Sequence, residues 1–126
     1  MFEMEVIPRF CETDALGHIN NTVFAVWCEA AREPIFKIFN PELKLETWNL
    51  IVAHLDISMT SPCYFDFPVS IKTHVSKVGR TSFDVTHHIY QNDQQVAKVV
   101  AVLVHYDYQH KKSVEISKPL RSQLQS

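Results

Sequence analysis

The sequence is poor in glycine and cysteine. Its 126 residues include only two glycines and three cysteines. Average usage of about 7% would give roughly nine glycines, so Gly17 and Gly79 mark places where the backbone needs special freedom. Cys11, Cys28 and Cys63 are odd in number, widely spaced and without a C-x-x-C pair. This argues against a disulfide framework and a zinc site, and predicts reduced thiols.

Long apolar runs and an excess of basic charge are also missing. No stretch approaches the roughly 18 uninterrupted apolar residues of a membrane helix, and the first residues lack the features of a secretion signal. The 12 basic and 14 acidic side chains give a formal charge of -2, whereas nucleic-acid binders are usually basic. We therefore expect a cytoplasmic protein that binds neither membrane nor nucleic acid, with residues 1–126 forming a single domain.

Apolar residues at helical spacing predict one long, half-buried helix from residue 23 onward. The pattern is carried by Phe24, Trp27, Ala31 and Ile35. Residues 20–22 favour helix N-caps and precede it. Pro34 should kink or divide the helix, because its ring removes a donor and clashes with the previous turn. Residues 40–41 end it, and residues 42–49 are expected to form a loop with a short helical turn.

Strand-forming residues dominate the rest of the chain. A short strand is expected over residues 3–10, at an edge or with a bulge because of Pro8. Runs rich in Val, Ile, Thr and aromatic residues predict further strands at Leu50–Met59, Val69–Val78, 81–90 and 96–108. Turn residues join the last three into an antiparallel meander. Strands that follow a lone helix indicate an α+β fold, and the polar residues 117–126 resemble a solvated tail.

The strand over residues 96–108 suggests a partner subunit. Residues 96–104 are apolar on both pleat faces, so this strand should lie centrally and be covered on both sides. One helix cannot cover both faces. The last strands also span about 30 Å or more, which is long for so small a protein. We therefore expect the chain to associate with a second copy.

The loop from Asp14 to Thr22 is the most informative segment. It places one carboxylate, one imidazole, two amides and a glycine just before a helix N-terminus, where unpaired N–H groups and a partial positive charge collect. Backbone N–H groups near Asn20 and Asn21 could hold a carbonyl oxygen or a developing oxyanion while Asp14 approaches it. This arrangement suits acyl transfer.

The chain resembles the hot-dog-fold thioesterases in the signature Arg9-Phe10-x-Glu12-Thr13-Asp14-x-x-Gly17-His18-x-Asn20-Asn21-x-x-Phe24-x-x-Trp27-x-Glu29-Ala30-Ala31-Arg32. Its nearest group is the 4-hydroxybenzoyl-coenzyme A thioesterase-like family of acyl-CoA thioesterases. The helix, the four later strands and the hairpin Lys77-x-Gly79-Arg80-x-Ser82 follow the family's order. The resemblance implies a hot-dog fold, one long central helix wrapped by an antiparallel five-stranded sheet. It also implies a homodimer or homotetramer with the acyl-CoA site at the subunit interface.

The resemblance also assigns roles to residues. Asp14 would be the catalytic aspartate, either as a nucleophile that forms an acyl-enzyme anhydride or as a general base toward water. The N–H group near Asn21 would hold the oxyanion, and His18 would support the loop, the water or the thioester. Residues implied to bind substrate are Gly17, Asn20, Phe24, Arg80 and Ser82. One departure is that Asp66-Phe67 stands where many relatives carry Gly-Asp, which affects strand entry and substrate shape.

Each of these residues also has a structural interpretation. Asp14 could simply accept loop N–H groups, and His18 could brace the loop. Asn20 and Asn21 favour capping or turn positions, and Phe24 can serve the core and the pocket wall alike. His87 and His88 are adjacent in a predicted strand, so their rings should point to opposite faces and not share a metal. No metal and no cofactor are expected.

The sequence therefore predicts an acyl-CoA thioesterase that releases a free carboxylic acid and coenzyme A. Two alternatives stay open. The first is a thioesterase that acts on acyl groups carried by acyl-carrier protein. The second is a non-catalytic acyl-CoA-binding module on the same fold.

Overall fold

A computed structural model describes all 126 residues as helices packed against one antiparallel sheet. In chain order the elements are β1 (Phe2–Val6), α1 (Asn21–Ala31), α2 (Glu33–Phe39), β2 (Leu50–Met59), β3 (Val69–Val78), β4 (Ser82–Gln91), β5 (Gln94–Asp107), β6 (Lys112–Ser113) and α3 (Lys118–Gln125). The longest helix, α1, has 11 residues, and no helix is both long and apolar enough to cross a bilayer.

The five main strands are ordered β1-β3-β4-β5-β2, and the short β6 pairs with β5. Every pairing is antiparallel. The predicted α+β class and the meander of the last three long strands are therefore confirmed. β5 lies between β4 and β2 and is an interior strand, as its apolar sequence predicts. Its outward-facing residues Val100, Val102 and Val104 are half-buried in this chain, so their coverage by a partner stays a prediction.

The core lies between α1, α2 and the inner face of the sheet. Residues alternate along β3, β4 and β5, so that one face of the sheet is largely buried while the other is more accessible. From the helices, the core takes Phe24, Trp27, Cys28, Ala31, Ile35 and Phe39. From the sheet, it takes fully buried residues such as Ile71, Val85, Ile89 and Val99. This packing fixes the start of α1 against the sheet.

The long helix is divided, as the position of Pro34 predicts. α1 ends at Ala31 and α2 begins at Glu33, with Arg32 between them. Arg32 is only 2% exposed, and its Nη1 lies 3.2 Å from Nε2 of His87 on β4. His87 is fully buried, whereas His88 is on the outer face of the sheet. The prediction that these two rings face opposite ways is thus confirmed.

Two predictions about the chain ends are wrong. The first strand stops at Val6, and residues 10–12 form a 3-10 turn; Pro8 follows the strand and does not sit within it. Residues 117–126 are not a solvated tail, because α3 occupies most of them. Its Leu124 is buried with the residues around α2, and the hydroxyl of Ser117 caps the helix by accepting the N–H of Leu120 at 3.4 Å.

The two edges of the sheet differ in length and character. β1 has five residues, and its exposed positions are glutamates. β2 has ten residues, and nearly all of them beyond Leu50 are exposed. Large apolar side chains on this edge include Ile51, Val52, Leu55 and Met59, which are 39%, 44%, 39% and 55% exposed. A long apolar edge with unpaired backbone groups is a ready template for another strand.

Candidate active site

Residues 12–20, here called the Asp14 loop, form a small hairpin-like structure ahead of α1. Its base is closed by the N–H of Asn20, which donates to the carbonyl of Glu12 at 2.8 Å. Further in, the N–H of Asp14 donates to the carbonyl of His18 at 2.7 Å. The N–H of Gly17 donates to the carbonyl of Asp14 at 3.1 Å. Gly17 has φ +79°, a left-handed conformation that side chains with a Cβ disfavour.

The Asp14 carboxylate is held by one oxygen only. Its Oδ1 accepts the N–H of Leu16 at 2.8 Å and the N–H of His18 at 3.2 Å. Its Oδ2 makes no hydrogen bond within the chain, and the residue is exposed. Asp14 therefore braces its own loop, as the structural interpretation holds. At the same time it keeps one carboxylate oxygen available for chemistry.

One N–H group at the start of α1 has no acceptor. Asn20 is the N-cap, and its side-chain oxygen accepts the N–H of Thr22 at 3.0 Å. The N–H groups of Ile19 and Val23, two residues to either side of Asn21, also have acceptors. Asn21 is the first residue of α1, where no helical carbonyl can be reached. Its N–H therefore points out of the helix end, where the helix dipole favours negative charge.

These groups meet in one cavity of about 560 Å³, here called the Asp14 cavity. Its lining includes five of the sequence-predicted residues, namely Asp14, His18, Asn20, Asn21 and Phe24. Phe24 is 2% exposed and contacts Trp27 edge to face at 5.7 Å between ring centroids. It therefore belongs to both the core and the cavity wall. Gly17 shapes the loop but does not line the cavity.

The second wall of the cavity is a segment that the sequence did not single out. It comprises Met59, Thr60, Ser61, Pro62 and Cys63. The carbonyl of Cys63 accepts the N–H of Ile19 at 2.6 Å. Burial raises the pKa of the Cys63 thiol to about 11, so this sulfur stays protonated near neutral pH and is a poor nucleophile.

Gln91 fixes the end of this wall from within the sheet. This residue is 5% exposed, and its Oε1 accepts the N–H of Tyr64 at 2.9 Å. Its Nε2 donates to the carbonyls of Tyr64 and Phe67 at 2.6 and 3.0 Å. The ring of Tyr64 in turn contacts the ring of His18 edge to face, with centroids 5.2 Å apart. Since Gln91 and Tyr64 are 27 residues apart, no local pattern reveals this contact.

Arg80 and Ser82 lie away from this cavity in the chain. Ser82 starts β4, whereas Gln91, which holds the cavity wall, ends it. Ten extended residues span about 30 Å. Arg80 is exposed, and its Nη1 lies 3.7 Å from Oε2 of Glu115. The single chain does not bring these two residues to Asp14, so their role in substrate binding stays a prediction.

The site contains no cluster suited to a metal ion. No group of three or more His, Cys, Asp or Glu side chains is close enough together to hold one. What the residues assemble is a carboxylate oxygen and a free backbone N–H beside a partly apolar cavity. A carboxylate can attack a carbonyl carbon or accept a proton from water, and an N–H group can stabilise the oxyanion that results.

Comparison with known proteins points to the same chemistry. A sequence profile of the thioesterase-like superfamily matches residues 8–124. No match to a curated protein sequence was found. Among solved structures, a protein from Bacillus stearothermophilus described as a predicted thioesterase is 32% identical, with a TM-score of 0.95 over 98% of this chain and 93% of that one.

Two further structures are similar in fold. A thioesterase from Thermus thermophilus complexed with coenzyme A and Zn is 26% identical, with a TM-score of 0.88 over 99% of this chain and 98% of that one. A variant 4-hydroxybenzoyl-CoA thioesterase complexed with 4-hydroxybenzoyl-CoA is 15% identical, with a TM-score of 0.82 over 97% and 96% of the two chains. The second likeness concerns the fold alone. Given the family match over residues 8–124, the chain belongs to the thioesterase-like superfamily and is a thioester hydrolase with the hot-dog fold.

Proposed function

We propose that this protein hydrolyses an acyl-CoA thioester to a free carboxylic acid and coenzyme A, with Asp14 as the catalytic carboxylate. The observation that carries the proposal is the pairing of two unsatisfied groups in one cavity. These are the Oδ2 of Asp14 and the N–H of Asn21. The backbone N–H groups of residues 16–20, 22 and 23 all have acceptors, so the N–H of Asn21 is left preorganised for an external acceptor.

In the proposed reaction the thioester carbonyl oxygen accepts the N–H of Asn21. Attack on the carbonyl carbon places negative charge on that oxygen, next to the positive end of α1. When the C–S bond breaks, the electron pair leaves with the sulfur of coenzyme A. His18 contributes through its backbone, because its N–H and carbonyl both bond Asp14. Its ring braces Tyr64.

Two routes are chemically open to Asp14. As a nucleophile, Oδ2 would bond the carbonyl carbon, expel the thiolate and form a mixed anhydride that water then hydrolyses. As a general base, Oδ2 would take a proton from a water molecule whose oxygen attacks the carbonyl carbon. A single turnover in ¹⁸O-labelled water tests for the first route, because label found in Asp14 would establish the anhydride. The first route transfers label into Asp14 when water attacks the aspartyl carbonyl, whereas the second never does.

Coenzyme A is the carrier that the comparisons support. The Thermus thermophilus thioesterase is complexed with coenzyme A, and the 4-hydroxybenzoyl-CoA thioesterase is complexed with an acyl-CoA. Presenting the same acyl group on coenzyme A and on acyl-carrier protein tests this choice. If the acyl group were released faster from acyl-carrier protein than from coenzyme A, acyl-carrier protein would be the preferred carrier.

We further propose that the protein works as a homodimer or homotetramer. The long, exposed, apolar edge at β2 supports this assembly. The Asp14 cavity is lined by Met59 at one end of this edge, so a second chain paired there would lie beside the cavity. Arg80 and Ser82 could then act on a substrate held by the other subunit.

The test is thiol release from short, medium, long and aromatic acyl-CoAs by the wild type and by Asp14→Asn. The amide keeps the shape of the carboxylate but neither attacks nor accepts a proton effectively, so we expect turnover to fall at least about 100-fold. Circular dichroism should remain unchanged. Asp84→Asn is the matched control, because Asp84 is on the outer face of β4 and its carboxylate makes no hydrogen bond.

Two results would count against the proposal. Full activity of Asp14→Asn would remove Asp14 from the chemistry. Tight binding of acyl-CoA by the wild type without any thiol release would instead indicate a binding module.

A further inference from the structure

We propose that Glu12 is a positioning residue, which sets the Asp14 carboxylate against the start of α1 through a hydrogen bond to Trp27. The inference rests on the proposed function of Asp14. It concerns a side chain that makes no contact with the cavity, since Glu12 is absent from the cavity lining. Its effect on the reaction would therefore be exerted through the geometry of the loop.

The contacts of Glu12 join three parts of the molecule. Its Oε2 accepts the indole N–H of Trp27 at 3.1 Å. Its Oε1 accepts the backbone N–H of Arg9 at 2.7 Å, and its carbonyl accepts the N–H of Asn20 at 2.8 Å. The side chain is only 11% exposed. A carboxylate so enclosed keeps its geometry because its hydrogen-bond partners are fixed.

The Asp14 loop is closed by hydrogen bonds of its own, and its contacts with the rest of the protein lie toward its two ends. The hydrogen bonds of Asp14 all stay within residues 14–18. The position of Asp14 relative to the helix depends on the residues at the two ends of the loop. On one side the N–H of Ile19 donates to Cys63. On the other side, Glu12 is the residue whose side chain reaches α1.

Trp27 is a suitable anchor for this contact. It is 5% exposed and belongs to the core between α1 and the sheet. Trp27 is six residues beyond Asn21, so both are fixed in the same rigid helix. A hydrogen bond from Trp27 to Glu12 thus relates the loop to the helix that carries the free N–H. Displacements of about 1 Å between reacting groups can cost about 100-fold in rate.

The experiment compares Glu12→Gln, Trp27→Phe and the double variant. In Glu12→Gln, an amide NH₂ replaces one carboxylate oxygen. The remaining oxygen should keep the shorter bond, at 2.7 Å to the N–H of Arg9, so Trp27 loses its acceptor. Trp27→Phe keeps an aromatic ring and removes the N–H donor. We expect each single variant to lower kcat about tenfold or more while KM changes less than about twofold. The double variant should be no slower than the slower single variant, because both changes remove one contact.

The matched control is Trp48→Phe. This is the other tryptophan of the chain, it packs against Phe36, and it should leave kcat unchanged. Far-ultraviolet circular dichroism and the urea midpoint check that the variants remain folded at the assay temperature.

Three results would overturn the inference. Wild-type kcat in both single variants, alongside an inactive Asp14→Asn, would reject the role of Glu12 and leave the proposed function intact. Activity that falls only in proportion to the folded fraction would make Glu12 merely structural. Independent, multiplying losses in the double variant would show that the two residues do not act through one contact. Full turnover by Asp14→Asn would refute the proposed function itself.

Discussion

His87 is a histidine that the folded protein keeps neutral. Burial, and then the charge of the neighbouring Arg32, lower its pKa from 6.5 to about 3. Arg32 can only donate, so Nε2 of His87 accepts from it. The remaining ring proton is then on Nδ1, which donates to Oγ1 of Thr73 at 2.8 Å. Neutral imidazole is the form that suits both partners.

This residue should make the protein less stable in mild acid. The unfolded chain takes up a proton on His87 as pH falls through 6.5, whereas the folded chain does so only near pH 3. The contribution of His87 to the free energy of unfolding is therefore fully present well above pH 6.5, and it declines as the pH falls below that value. From pH 7 to pH 5 the free energy of unfolding should fall by about 2 kcal/mol through this residue alone.

Urea unfolding at pH 7, 6 and 5 measures this effect. His87→Gln retains an acceptor for Arg32 and should lose that share of the pH dependence. A His87→Gln protein with an unchanged pH dependence would contradict the prediction.

At the scale of elements, the strands were predictable and the last helix was not. Alternation of apolar and polar residues is strong in β3, where Val69, Ile71 and Thr73 are buried. In α3, only Leu120 and Leu124 carry the apolar pattern, over a single helical turn. The remaining residues are polar, so composition favoured a tail. The helix forms against a packing surface that α2 and β3 provide. The local sequence of α3 does not reveal that surface.

The C-terminal helix should contribute to stability despite its polar sequence. Leu124 is 5% exposed and packs in the same cluster as Ile35 and Phe39. We expect Leu124→Ala to lower the free energy of unfolding by about 2–3 kcal/mol, through lost burial and the cavity left behind. Leu45→Ala, at a position 82% exposed, should change it by less than about 0.5 kcal/mol. Equal effects of the two substitutions in urea unfolding would argue that α3 does not dock.

The candidate site was predictable on one side only. Asp14, Asn20 and Asn21 stand in a contiguous motif, so their proximity follows from the chain itself. The wall at residues 59–63 and its support by Gln91 depend on contacts across the sheet. The Glu12–Trp27 contact joins residues 15 apart. Such pairings follow from the tertiary arrangement, which hydrophobic periodicity alone does not specify.

For the whole molecule, the two sheet edges predict how copies associate. Charged side chains on the short edge discourage strand pairing at β1, whereas the long apolar β2 edge invites it. An antiparallel β2–β2 pairing would bury Leu55 and its apolar neighbours around a two-fold axis. Assembly and activity should therefore depend on the same edge.

Light scattering should give a mass at least twice the 14.6 kDa of the chain. Leu55→Lys should shift the protein toward monomer at micromolar concentration and reduce thiol release at least about tenfold, since a charge would be buried in the interface. Glu5→Lys places a lysine on the other edge and should change neither quantity. A monomeric wild type with full activity would remove the need for assembly.

The unsatisfied donor at the beginning of the buried helix is part of the main chain. In the proposed reaction, the amino acid at position 21 would therefore be nearly interchangeable, because every residue except proline supplies the same group. Mutational scanning would record this position as tolerant even though chemistry takes place there. Position 14, in contrast, would not tolerate substitution, because its side chain takes part in the reaction. Mutational scanning would therefore identify only one of the two catalytic groups.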